Sequence, residues 1–492
     1  MVSLLLIAPL LPIVAGIVLT AMDIGPRRVP HRLAYVVSLG TAIVTAAAVA
    51  GIVIARPVID IAWVPSIGLR LYLAADDISV PLIVLTAVIA VLLVARSTGP
   101  QEDRNGLFLG SVLGVVGAAL AAFLTRDVIG FFVAFEVALV PMWVLIRRFG
   151  EPAEAHRAAW LFVLYTVLGS MLMLAGILVL VTTAGTTDMD RLAHGIGGSH
   201  GTQVVAATLL LAGLGIKIPI WPLHTWLPAA HTAAPTTGSV LLAAILLKMG
   251  SYGIVRLVVG PLPDGLRSVA PVFAVMTVIG MIWAALICLR EDRFKRIVAW
   301  SSIVHMGFVM LALLTGTVLG VQAALFGNIA HAVISALLFL VAGELKTRWG
   351  NDDLSVAHPA LRDATPKLGF ALILGVAAAI GVPALAGFWS EILTLLALWQ
   401  HGGGWRFIAI LAVAAAVLVG AYSVRLLRRV WAGEDGETTA LPPSPGQPAP
   451  DLTISAQVGI GVLALAIVVL GVYPTPLLHL TQASVQVLVG AR

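Results

Sequence analysis

Six ionisable side chains stand inside long apolar runs: Glu136 in VIGFFVAFEVALVPMW, Lys217 in LLLAGLGIKIPIW, Lys248 in LLAAILLKMGSYG, His305 in SSIVHMGFV, His331 in FGNIAHAVISALL and Glu391 in GFWSEILTLLALW. A charge at the centre of a lipid bilayer costs roughly 2.5 to 3.5 kcal/mol on insertion scales, so such residues face a bundle interior, a partner or a wet cavity. Acid, lysine, lysine, histidine, histidine and acid follow one another in sequence order across separate runs, and all three types can bind and release a proton. Any one histidine alone reads more simply as a packing residue; the set as a whole reads as a proton path. Glu136 lies about 12 Å into its run at 1.5 Å per residue, near the middle of a hydrocarbon core, and needs a partner. Lys217 is the natural one, because an ammonium beside a carboxylate keeps both charged in a poor solvent. A static buried ion pair is the alternative for these two. His224 and His231 fall among prolines, where they either hydrogen-bond freed carbonyls or join the path.

The elements that must position these groups are interrupted helices. Pro219 and Pro222 follow Lys217, and each proline removes a backbone donor and clashes with the preceding turn, so the segment 203–235 should be a broken span. A second break is expected at Gly381, Pro383 and Gly387, just before Glu391, within 368–400. Non-helical backbone at membrane depth is tolerated only inside protein or along a wet cavity, and transporters place ion sites there. The two broken spans are five apart in order, so they run in opposite directions, the sign of inverted-topology repeats.

The chain has 492 residues, 60% hydrophobic and 11% charged, with a mean hydropathy of +1.04, which sets it among polytopic all-α membrane proteins. The formal charge of +5 and pI near 9.6 do not point to nucleic acid, since the basic residues are spread over short loops. Cys288 is the only cysteine and lies in an apolar run, so a disulfide framework, iron–sulfur ligation and a CxxC metal site are not expected. GIGGSHG from Gly195 lacks dinucleotide-loop spacing, and no span carries closely spaced metal ligands. No cofactor or metal is expected in this chain.

At about 20 apolar residues per span, fourteen spans are expected in one membrane domain covering 1–492, the first beginning near residue 2 as a retained span and not a cleaved signal. The segment 60–73, DIAWVPSIGLRLYL, alternates and predicts a short hairpin outside the membrane. The stretch 432–451 with LPPSPGQPAP reads as a surface loop. Of 29 Lys and Arg residues, 19 fall in loops after odd-numbered spans and eight on the other side; the remaining two are Lys217 and Lys248. The positive-inside rule then puts both termini away from the cytoplasm.

LGIKIPIWPLHTWLPAAHTAAPTTGSVLLAAILLKMGSYG together with DRFKRIVAWSSIVHMG strongly resembles the antiporter-like proton-translocating subunits of respiratory complex I, and the resemblance covers most of the chain. It implies inverted repeats over 106–255 (spans four to eight) and 268–424 (spans nine to thirteen). It also implies that Glu136 and Lys217 form the first half-channel, Lys248, His305 and His331 the central axis, and Glu391 the end of the second half-channel. Glutamate at 391 points to the M-type subunit, similar to mitochondrial subunit 4, where related subunits carry lysine. Partners implied are the other membrane subunits of NADH:quinone oxidoreductase, L-type and N-type neighbours included, in the inner (plasma) membrane of a bacterium. Redox chemistry would take place in other chains. Ala229 and Ala233 stand where the family usually has acids, so any role of those acids is absent or met differently here. An Mrp-type cation/proton antiporter subunit or a membrane-bound hydrogenase subunit is the alternative.

Overall fold

The computed structural model describes residues 2–24, 28–65, 68–97, 104–356, 360–432 and 452–490. The proline-rich stretch expected to form a surface loop lies almost wholly outside these residues. Helices α1 (Leu4–Ile24) and α2 (His31–Ala55) precede strands β1 (Val58–Val64) and β2 (Leu69–Ala74), and α3 (Val80–Arg96) and α4 (Asn105–Leu124) follow. The strands form the expected antiparallel hairpin, with Val58 opposite Ala74 and Asp60 opposite Tyr72.

The chain continues through α5 (Val128–Val137), α6 (Leu139–Phe149), α7 (Pro152–Ala184), the short α8 (Met189–Leu192), α9 (His200–Lys217) and α10 (Trp226–Ala233). After these come α11 (Thr236–Leu241) and α12 (Leu247–Ile254), joined by a π-helical turn over Leu242–Leu246, with a second π turn at Val255–Val259. The remaining helices are α13 (Pro263–Cys288), α14 (Phe294–Leu314), α15 (Val318–Trp349), α16 (Leu361–Ala364), α17 (Pro366–Ile380), α18 (Ala386–His401), α19 (Gly404–Leu427), α20 (Ile454–Val472) and α21 (Thr475–Gly490).

Eleven helices among the described residues are long and apolar enough to cross a membrane, against the fourteen spans expected. The difference is physical: α3 is short, and α9/α10 and α17/α18 are each cut in two. The first cut follows Lys217, as Pro219 and Pro222 require, and the second follows Ile380. There Gly381 takes a left-handed φ of 80°, and Ala384, at φ 69°, does so without glycine's freedom. A further break was not expected. Pro141 cannot donate to the carbonyl of Val137, and the helix is interrupted at Ala138, two residues after Glu136.

Burial separates centre from rim. The apolar windows of α15 and of the α11–α12 segment are 100% buried and that of α14 is 94% buried, against 33% for α1 and α20. The central helices are therefore the ones that carry Lys248, His305 and His331, while the outer faces of α1, α2, α7 and α20 present exposed Val, Leu and Ile, as a lipid-facing surface requires.

Candidate functional site

The first group lies between α5, α7 and the end of α9. Asp127 caps α5 by accepting from the backbone N–H groups of Ile129 (2.8 Å) and Gly130 (3.0 Å), which fixes the start of the helix whose last turn carries Glu136. The Glu136 carboxylate accepts a hydrogen bond from the Ser170 hydroxyl of α7. Lys217 ends α9 and is 2% exposed; its Nζ sits 4.7 Å from the Phe135 ring centre and 5.6 Å from that of Phe162. The direct ion pair expected between Glu136 and Lys217 is not formed. Glu136 acts on Lys217 only through space, and two aromatic faces add negative potential beside the ammonium. The Ser170 contact had no signal in the sequence.

The second group is closely spaced. Lys248 Nζ donates to the carbonyl of Ala243 at 2.7 Å, an acceptor five residues back that the π turn presents, and lies 2.6 Å from His331 Nδ1. The rings of His331 and His305 stand 6.1 Å apart, and His305 Nδ1 is 3.6 Å from Glu391 Oε1. The spatial order is therefore Lys248, His331, His305, Glu391, and the two histidines exchange the places that sequence order gives them. Between His305 and Glu391 lies a cavity of about 20 Å³ bordered by Ser301, Ser302 and Ser390, large enough for one water. Glu391 is held over the second break: a Cβ on Gly381 would come 2.7 Å from its Oε2. The second nitrogens of His305 and His331 are buried and make no hydrogen bond.

The two groups meet through a close helix contact, since a Cβ on Gly250 of α12 would stand 2.9 Å from the Cβ of Lys217. His231, fully buried, stacks on Phe339 at 4.8 Å with both ring nitrogens unpartnered. His224 packs edge-on to Trp300 at 5.7 Å, and its two nitrogens and the indole N–H are likewise unpartnered. Neither histidine bonds the carbonyls that the prolines free. The His231 carbonyl, which Pro235 leaves without a donor, accepts from Ser239 Oγ at 2.8 Å, and Lys295 Nζ donates to the neighbouring carbonyls of Thr232, at 3.3 Å, and Ala234. By sequence Lys295 belongs to a basic loop; in the structure it is 8% exposed.

A charged cluster ties the hairpin to the bundle at the opposite end. Asp76 accepts from Arg126 at 3.1 Å and Arg256 at 2.5 Å, Arg126 also pairs with Asp190, and Tyr72 donates to Asp190 at 2.8 Å. Burial alone would raise the Asp76 carboxyl, but the guanidinium groups of Arg256 and Arg126 hold it well below the usual carboxylate range. Burial, and then the bond to Asp190, push Tyr72 up to about 12. No group of three or more His, Cys, Asp or Glu residues able to hold a metal occurs among the described residues.

Broken apolar helices enclosing a row of buried Lys, His and Glu side chains define a polytopic membrane protein with ionisable groups in its interior. Residues 125–418, more than half of the chain, match the NADH:quinone oxidoreductase/Mrp antiporter transmembrane family, and the chain belongs to that family. It is 32% identical over 507 residues to NADH-quinone oxidoreductase subunit M of Rhodobacter capsulatus, covering 99% of this chain and 96% of that one. A chain of respiratory complex I from Thermus thermophilus with bound NADH superposes with a TM-score of 0.84 at 25% identity, covering 98% and 99% of the two chains. The fold is also that of a chain in the Mrp complex from Dietzia sp. DQ12-45-1b, with a TM-score of 0.86, 22% identity and coverage of 99% and 97%. A relative named subunit M agrees with the M-type resemblance read from Glu391.

Proposed function

We propose that this chain is the M-type proton-translocating membrane subunit of a bacterial NADH:quinone oxidoreductase. The observation that carries the reading is the closely spaced row from Lys248 to Glu391. In it the Lys248 ammonium gives a proton to His331 Nδ1, at hydrogen-bond distance. His331 can then release a proton from its other nitrogen toward His305, and His305 passes one to Glu391 with a single water or a small approach closing the gap of 3.6 Å. Each step moves one proton between groups that both exist in two protonation states, and small side-chain movements close the gaps between the histidines and before Glu391.

Glu136 and Lys217 form the other half-channel. Its two members are apart, so the charge on Lys217 is held by ring faces and by the field of Glu136, and the π turn before Lys248 presents a carbonyl that steadies the receiving ammonium. The repeats 106–255 and 268–424 place one broken helix in each half. The distribution of Lys and Arg supports a plasma-membrane orientation with both termini on the non-cytoplasmic side. L-type and N-type subunits are the expected neighbours, and NADH oxidation and quinone reduction belong to other chains.

A cation/proton antiporter subunit is the second reading, favoured by the shared fold with the Mrp chain. Affinity purification through this chain separates the two. The proposal expects the chain to emerge with an NADH-oxidising arm and to pump protons in inverted vesicles on NADH addition. Recovery without such an arm, with Na⁺/H⁺ exchange by the reconstituted chain at the rate of a dedicated antiporter, would decide for the second reading.

A further inference from the structure

At the Lys- and Arg-rich end a cavity of about 470 Å³ is bordered by Arg96, Glu151, Glu344, Lys346, Asp352 and, at its inner wall, Lys295. Its rim is wet, since the side chains of the paired Lys346 and Glu151 are 40% and 35% exposed. Lys295 is the buried member, at 8%.

Lys295 is an unusual lysine for a salt bridge. Asp352 accepts from its backbone N–H at 3.0 Å, while its ammonium makes no carboxylate contact among the described residues and donates to the carbonyls of Thr232 and Ala234. Those carbonyls end α10, where Pro235 prevents the helix from continuing. Immediately before Thr232 on α10 is His231, fully buried and with both nitrogens unpartnered. His231 is the neighbour of Thr232, whose carbonyl accepts from Lys295, and its own carbonyl accepts from Ser239 Oγ at 2.8 Å.

We infer that Lys295 is a proton-loading group that admits protons from this cavity, through His231, to the row beginning at Lys248 and His331. The inference rests on the proposed translocating function and adds the point of entry. In each cycle the Lys295 ammonium passes one proton inward to an unpartnered nitrogen of His231. The neutral amine then takes one from water in the cavity, so nothing but a proton is exchanged. The carbonyls of Thr232 and Ala234 hold the amine in place in both states, because a neutral amine still donates N–H bonds. An anchor for the end of α10 would need only a fixed cation.

Cysteine chemistry distinguishes the two. The native Cys288 is fully buried, so a thiol placed at 295 is the reactive one in this chain. The assembled complex carrying Lys295→Cys is expected to pump at least about tenfold more slowly than wild type, the scale of a lost acid–base group. Modification with an aminoethyl methanethiosulfonate restores a titratable amine and is expected to recover pumping. The trimethylammonium analogue restores a permanent cation and is expected not to. Equal recovery with both reagents, undiminished pumping in Lys295→Cys, or a thiol that neither reagent reaches from the cavity would each overturn the inference. Wild-type complex and Glu391→Gln are assayed in the same vesicles: if wild type itself does not pump, the functional reading fails, whereas pumping that Lys295 chemistry leaves untouched removes the entry point alone.

Discussion

The two regions that hold buried charge are built on opposite plans. From Lys248 to Glu391 the groups nearly touch, at 2.6 Å for the first step and 3.6 Å for the last, and they are supported by a π turn on one side and a left-handed glycine on the other. Around Glu136 and Lys217 the opposite charges are kept apart, one occupied by a serine and the other by two aromatic rings. In the proposed path, a closely spaced row needs only small side-chain movements to pass a proton. A separated pair changes its interaction only when something brings the members together, which is what a gate requires and a wire does not. Both regions rest on a broken helix, so the break alone does not decide which of the two is built.

The comparison is broken most severely at Lys248. Lys248→Arg keeps a cation able to donate to the Ala243 carbonyl, yet arginine stays protonated in proteins. Proton pumping by the assembled complex should fall at least about tenfold; near-normal pumping would make Lys248 a fixed charge and remove the wire. Gly381→Ala acts at the other end of the row. The substitution is strained at a φ of 80° and its methyl would crowd Glu391 Oε2. About 1 to 2 kcal/mol of backbone cost and a severalfold loss of pumping are expected, with assembly retained. Wild-type pumping in that variant would mean that the Glu391 carboxylate need not sit where it does.

The separated pair is sharpened by Phe162→Leu, which removes one of the two rings facing Lys217 and leaves the other. A desolvated cation–π contact is worth about 2 kcal/mol, so the variant should lower the thermal stability of the complex and change pumping by less than Lys248→Arg does. No change in either would show that the ring faces do not stabilise the ammonium. The smallest effect concerns the hairpin anchor. The Asp76 carboxyl is depressed below its ordinary value of 3.8, so its stabilisation is present above that value and is lost only as pH falls through the lower, folded value. Proteolysis of the hairpin should therefore stay constant between about pH 5 and pH 4 in wild type and rise in Asp76→Asn at both. A steep rise in wild type over that interval would contradict the anchor.

The large features were legible because they follow from residue types alone. Prolines after Lys217, the Gly381–Gly387 stretch and the alternation of 60–73 all produced the breaks and hairpin they demanded, and the isolated charges in apolar runs marked the interior. What escaped depends on three-dimensional approach. The sequence suggested a pairing of Glu136 with Lys217, but side-chain direction gives the acid to Ser170 and the lysine to two rings. Sequence order placed His305 before His331 along the axis, while the packing of α14 and α15 reverses them. Lys295 was hidden among Arg293 and Arg296 as an ordinary loop cation, and only its position at the first turn of α14, against the end of α10, sets it apart. The π turn that aims Ala243 at Lys248 has no residue signature at all.

The central claim is that the row ending at Glu391 exchanges protons and does not merely hold charge. The most direct measurement is the number of protons pumped per quinone reduced in inverted vesicles for assembled Glu391→Gln and Glu391→Asp complexes. The account predicts a lower ratio in Glu391→Gln, where the proton-accepting oxygen is lost, and a ratio closer to wild type in Glu391→Asp, where it is kept. A wild-type ratio in Glu391→Gln, with quinone reduction also intact, would contradict it and take Glu391 off the path.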